Sequence, residues 1–250
     1  MKLSWRKGLL FLAFILSLFA NFIIYQRAEQ YYLQLNGVQL DPLGLGLYPV
    51  NEDRPALADD QKLVVFVGDS RAFHWPFPQG LPQFQFINRG GAGQTSEQIA
   101  GRFDVHVLSL QPDVLIVQIC INDLKTISLF PRQNDKIIET CKENIQEMVS
   151  KSLDLGVTVI LTTIFPHGRI PIERRLFWSP DVAEGEREVN EFIDSLAGER
   201  VIVFDTSQVL GDENGIVRRD YSEDFLHLNE TGYQVLNDEL EKILMSLTGN

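Results

Sequence analysis

Leu63-Val64-Val65-Phe66-Val67-Gly68-Asp69-Ser70 is the stretch on which the fold turns. Leu63 to Val67 is an unbroken apolar run with no polar alternation, closed at once by Gly-Asp-Ser. A run this short and this continuous reads as a strand buried on both faces of a parallel sheet. Outward from it the chain alternates strands with helices. Phe84 to Ile87 is a second, weaker strand flanked by Pro82 and Gln83. Thr95 to Phe103 is a helix, with Thr95 as N-cap and Gln98 placed to complete a capping box. Val114 to Cys120 is a third strand, and Lys136 to Leu155 a helix with Ile137, Ile138, Cys141, Ile145, Met148 and Val149 at helical spacing before the stop at Gly156. Val157 to Phe165, Val182 to Leu196, Val201 to Phe204 and Thr231 to Leu247 continue as strand, helix, strand and helix. This order predicts an α/β fold, a three-layer α/β/α sandwich around a five-stranded parallel sheet. Functional groups in such sheets gather beyond the carboxyl ends of the strands.

Four polar clusters fall where that rule points. Gly68-Asp69-Ser70 follows the first strand, Asn88-Arg89-Gly90-Gly91-Ala92-Gly93-Gln94-Thr95 the second and Ile121-Asn122-Asp123-Leu124 the third. Asp224-Phe225-Leu226-His227 stands before the closing helix. Each is ordinary alone, since Gly-rich and Asn-Asp turns are common and a lone His is more often a surface or capping residue. Their shared placement on one edge of one sheet is not ordinary.

With these four blocks the sequence resembles the SGNH/GDSL hydrolase family over roughly Leu63 to Leu247. The resemblance implies a flavodoxin-like sheet and a serine esterase or lipase-like activity that needs no cofactor. It makes Ser70 the nucleophile, His227 the base and Asp224 its carboxylate partner. The oxyanion hole would be the Ser70 and Gly93 backbone N–H groups with the Asn122 amide. One departure stands out: Cys120 occupies the position, two before the Asn, where the family usually has Gly. The residue types fit the chemistry. A Ser hydroxyl becomes nucleophilic when an imidazole takes its proton, a carboxylate holds that imidazole in one tautomer, and fixed donors meet the oxyanion.

Other residues near the blocks are expected in lesser roles. His74 and Trp75, just past Ser70, are candidate pocket residues. The excursion His167 to Pro180 carries Arg169, Arg174, Arg175 and Trp178. It is a candidate substrate-binding surface for a carboxylate or phosphate, unless its arginines pair with Glu184, Glu186 and their neighbours. Asp69 and Asp123 are expected to bond their own loops, and His106 to lie at the surface. Cys120 and Cys141 read as two buried thiols, because Cys141 falls on the apolar face of its helix, although an exported chain could join them. The four scattered His residues give no metal-ligand spacing.

The N-terminus bears on location. Lys2, Arg6 and Lys7 precede an uncharged run from Gly8 to Gln26, closed by Arg27. At ~1.5 Å per residue this run makes about 28 Å of helix, close to the ~30 Å hydrocarbon core of a bilayer. Residues 1–27 therefore read as a cytoplasmic start and a transmembrane signal-anchor, with the remainder translocated to the periplasmic or extracellular side. The competing reading is a cleaved signal peptide and a secreted protein. Residues 28–61 read as a juxtamembrane spacer, with an irregular flap over the domain as the alternative, and residues 62–250 as the hydrolase domain. The chain carries 22 Lys and Arg against 34 Asp and Glu, a net charge of −12 that repels phosphate backbones, so no nucleic-acid partner is expected. Hydrophobic residues are 44% of the total, which excludes wholesale disorder. The expected activity is hydrolysis of acyl or acetyl esters of a small molecule, lipid or cell-envelope glycan. An O-acyl or O-acetyltransferase with the same triad, and a catalytically silent polysaccharide-binding module, are the alternatives. Oligomeric state is not encoded in any motif.

Overall fold

The structure is a computed structural model and describes residues 2–248. The chain forms two units, one up to Gly44 and one from Leu45 onward. The first is helix α1, Lys2–Leu40. By length and composition its stretch Trp5–Leu40 can cross a membrane. The helix continues past Arg27 through much of the stretch read as spacer. No proline interrupts residues 28–40, and Pro42 lies just beyond its end.

The second unit is built on five strands: β1 Lys62–Gly68, β2 Phe84–Gly90, β3 Val114–Gln118, β4 Thr158–Thr162 and β5 Val201–Phe204. They pair in the order β2-β1-β3-β4-β5, all parallel. The helices between and after them are α2 Ser70–Phe73, α3 Ser96–His106, α4 Ile121–Leu124, α5 Asn134–Asp154, α6 Asp181–Ser195, α7 Thr206–Leu210 and α8 Glu230–Ser246. Alternation along β1 separates the two cores. Leu63, Val65 and Val67 pack with Ile99, Phe103, Ile145, Met148 and Val189 of α3, α5 and α6. Val64 and Phe66 pack on the other face with Leu236, Leu240 and Leu244 of α8. Each fully buried side chain of this kind contributes roughly 1.5–3 kcal/mol, so the apolar run of β1 is the keel of the fold.

Residues 45–61 run along the rest of the second unit. The Tyr48 hydroxyl donates to the Gly90 carbonyl at 2.6 Å, Asn51 N–H donates to Val105 O at 2.8 Å, and Arg54 pairs with Asp113 at 2.6 Å. Glu52 pairs with Arg89, and Leu57 packs on the core beneath α3 and α5. Two expectations are corrected. Cys120 and Cys141 are joined in a disulfide with Cα atoms 6.0 Å apart, because α5 turns the apolar face that holds Cys141 toward the end of β3. His106 is buried, not at the surface, because Tyr48 and Asn51 lie against the end of α3, with the Tyr48 ring 5.8 Å from that of His106.

Candidate active site

The nucleophile candidate is placed by a turn that only a bare backbone can make. Gly68 ends β1 so close to β3 that a Cβ would stand 1.9 Å from the Gln118 carbonyl oxygen. Asp69 then caps α2, accepting from Arg71 N–H at 2.8 Å, and Ser70 is the first helical residue. Asp69 is fully buried, and burial pushes its carboxyl above the usual range against the pull of the neighbouring Arg71 guanidinium. It serves the turn, as expected from sequence.

The loop before α8 brings the other two residues to Ser70. Asp224 Oδ1 accepts from the Leu226 and His227 N–H groups at 2.7 and 2.8 Å, which closes a tight turn. Its other oxygen lies 2.9 Å from His227 Nδ1. On the far side of the imidazole, Nε2 is 3.0 Å from Ser70 Oγ. A proton on Nδ1, donated to the carboxylate, leaves Nε2 to accept from the hydroxyl, so one tautomer satisfies both contacts. Partial burial pushes the Asp224 carboxyl up, but its bonds to His227 and to the two backbone N–H groups outweigh this, and its pKa lies below the usual value.

Gly93 and Asn122 border the same edge. Gly93 adopts a φ of +77°, a left-handed conformation that suits glycine, and is exposed with open space where a Cβ would stand. Asn122 is only 4% exposed. Its Nδ2 donates to the Gln94 carbonyl at 2.9 Å, and its Oδ1 accepts from Lys125 Nζ at 2.5 Å. These two bonds fix which end of the amide is which and leave a second N–H on Nδ2.

The lesser candidates divide. His74 lies beside His227, its ring 6.0 Å from the His227 ring, and shares an open cleft with Pro76, Glu223 and Tyr233. Trp75 does not line a pocket. It is 2% exposed, packs on Phe66 and Phe165, and donates from Nε1 to Asn237 Oδ1 at 2.7 Å. Arg169 lines a neighbouring cleft of about 650 Å³ with Arg219, Asp224 and Phe225. Arg174 stands over the Phe225 ring at 5.9 Å, Trp178 packs edge-on against that ring at 5.7 Å, and Arg175 is exposed. Glu184 pairs with Arg187, and Glu186 bonds His167 at 3.2 Å, so neither partners the loop arginines.

Two residues at the site were not anticipated. Arg71 is buried next to Ser70 in the chain. Its Nε donates to Leu226 O at 2.8 Å and its Nη1 to Phe165 O at 2.6 Å, which ties α2 to the His227 loop and to the chain after β4. No sequence signal marks an arginine as buried. Lys125 is the second, and its spacing from Asn122, one helical turn, was the available clue. Asp123 is buried too, and its carboxyl accepts from the Ser96 N–H and hydroxyl. Among the described residues no group of three or more His, Cys, Asp or Glu side chains is placed to hold a metal ion.

The profile of the GDSL-like lipase/acylhydrolase family matches residues 66–235. No curated protein matches the chain significantly. Among solved structures, a GDSL-like lipase from Bacteroides thetaiotaomicron superposes with a TM-score of 0.59 at 20% identity, covering 77% of this chain and 92% of that one. An acetyl xylan esterase superposes at 0.56 with 19% identity, covering 72% and 98%. An acetyl-xylooligosaccharide esterase from Geobacillus gives 0.54 and 17%, covering 72% and 93%. At these identities the likeness speaks for the fold.

Proposed function

The chain belongs to the GDSL-like lipase/acylhydrolase family of ester hydrolases, and from that premise we propose that it is a membrane-anchored, extracytoplasmic serine esterase whose triad is Ser70, His227 and Asp224. The observation that carries the triad is the unbroken relay from Ser70 Oγ to His227 Nε2 at 3.0 Å and from His227 Nδ1 to Asp224 Oδ2 at 2.9 Å. In this reading His227 takes the Ser70 proton as Oγ attacks the ester carbonyl, and returns it to the leaving alcohol. Asp224 holds the tautomer and stabilises the imidazolium. The negative oxygen of the tetrahedral intermediate is met by the Ser70 and Gly93 N–H groups and by the second N–H of Asn122. Water, activated in turn by His227, then releases the acyl group from Ser70. No step in this sequence calls for a cofactor.

The substrate we propose is an ester with a small acyl group, of the kind the two acetyl esterases named above act on, because the cleft at His227 is open and shared with polar side chains. The α1 helix would hold the enzyme at the membrane, with its N-terminus inside. A series of p-nitrophenyl esters from acetyl to long acyl, run on wild type and Ser70→Ala, tests the assignment. Acetate should be the preferred acyl group, and Ser70→Ala should lose both turnover and labelling by a fluorophosphonate. Labelling that persists in folded Ser70→Ala would remove Ser70 from the chemistry.

A further inference from the structure

We propose that the Cys120–Cys141 disulfide is a positioning element for the reaction, holding the Cys120 backbone in the left-handed turn that delivers Asn122 to the site. The inference rests on the reading of Asn122 as an oxyanion donor. β3 ends at Gln118, and the chain must turn sharply through Ile119 and Cys120 before α4 begins. Cys120 makes that turn at φ +87° and ψ −19°, a conformation that side chains bearing a Cβ rarely adopt. Two residues on, Asn122 bonds the Gln94 carbonyl and Lys125. The Asp123 and Leu124 N–H groups both bond back to the Cys120 carbonyl, so the Cys120 torsion sets the direction of the whole α4 turn.

No side chain caps α4 at Cys120. What grips this residue is its sulfur, bound to Cys141 near the middle of α5. That helix is a firm mount, because Ile138, Cys141, Ile145, Met148 and Val149 are all buried in the core. Glycine would take the same φ without a steric penalty and would need no such grip. The disulfide thus does for a cysteine what the absence of a side chain does for a glycine. Reduction breaks the S–S bond: two electrons and two protons from a dithiol yield two Cys thiols, and the dithiol closes to its own disulfide. The turn is then free to relax toward negative φ and to carry Asn122 away from Gln94.

The test compares two double variants of the full chain, each without the disulfide and differing only in a Cβ: C120A/C141A and C120G/C141A. Turnover of p-nitrophenyl acetate is measured for both, for wild type with and without dithiothreitol, and for Asn122→Ala. Loss of an oxyanion donor costs about 10²–10³ in kcat, so a displaced donor should cost about tenfold or more with KM little changed. C120A/C141A and reduced wild type should both show that loss, and C120G/C141A should recover most of kcat and ignore dithiothreitol. Equal kcat in the two double variants would overturn the proposal. Should C120A/C141A fail to fold, the reductant carries the test, and reduced, folded wild type with undiminished kcat would overturn it equally. Asn122→Ala separates the two readings. If it keeps wild-type kcat, the donor role falls and this inference with it. If it loses kcat while C120A/C141A does not, only the inference falls.

Discussion

At the scale of single residues, the site depends on atoms that perform two tasks. Asp224 closes its own turn with one oxygen and holds His227 with the other. Asn at this position keeps an acceptor for the turn but turns an N–H toward Nδ1, which selects the wrong tautomer. Asp224→Asn should therefore lower kcat by about 10⁴, while the melting temperature of this half-exposed position stays nearly unchanged. A comparable loss of folded protein would make the residue structural. Lys125 offers a second test, since its ammonium fixes the Asn122 amide from behind. Lys125→Met should reduce kcat with little change in KM, and an effect confined to KM would place the lysine on substrate instead. The loop arginines can be sorted as well. Arg169 lines the cleft beside Asp224, whereas Arg175 stands exposed on the loop. Arg169→Ala should raise KM for an anionic ester more than for a neutral one, and Arg175→Ala should do so less. Equal effects on both esters would assign Arg169 to general surface charge.

At the scale of elements, the helix starts are where polar groups are buried deliberately. The α3 N-terminus is closed by the Thr95–Gln98 capping box, and Asp123 of α4 reaches it by accepting from Ser96. Burial lifts the Asp123 carboxyl from 3.8 to about 6, against the pull of its Ser96 bonds. The sign follows from linkage. Between those two values the native chain holds a proton that the unfolded chain has lost, so stability falls as pH rises from about 4 to about 6 and then levels. The interval corresponds to about 3 kcal/mol at most. Asp123→Asn removes this dependence, so its melting temperature relative to wild type should climb across that interval and stay flat above it. A difference that is constant with pH would show that the carboxyl is not the group that titrates. The elements themselves were largely legible. β1 was readable because burial on both faces leaves an unbroken apolar run, and α3 because its capping box is a local pattern. The short helices α2, α4 and α7 were not legible, having too few residues to show a period.

At the scale of the molecule, two units with different surfaces share one chain. The four N-terminal cations set aside, the remainder carries 18 basic against 34 acidic residues, or −16. Such a body is repelled by anionic lipid, so any membrane attachment rests on α1. Full-length protein should then resist alkaline carbonate extraction, and its mature N-terminus should lie before Gly8. An N-terminus near Asn21 would mean a cleaved signal instead. The sequence by itself determined the parallel sheet, the strand-to-helix order and the four blocks at its edge, because periodicity, caps and the turn after a strand are properties of neighbours along the chain. It placed Ser70, Asp224 and His227 on one edge without bringing them together. Only the tertiary structure decided which groups meet: that Ser70 and His227, 157 positions apart, come within 3.0 Å, that Trp75 turns into the core and not the pocket, that Arg71 beside Ser70 is buried, and that Cys120 reaches Cys141. These outcomes depend on which face of each element its distant neighbours cover, and burial of that kind is settled by packing in three dimensions, where sequence separation carries no distance.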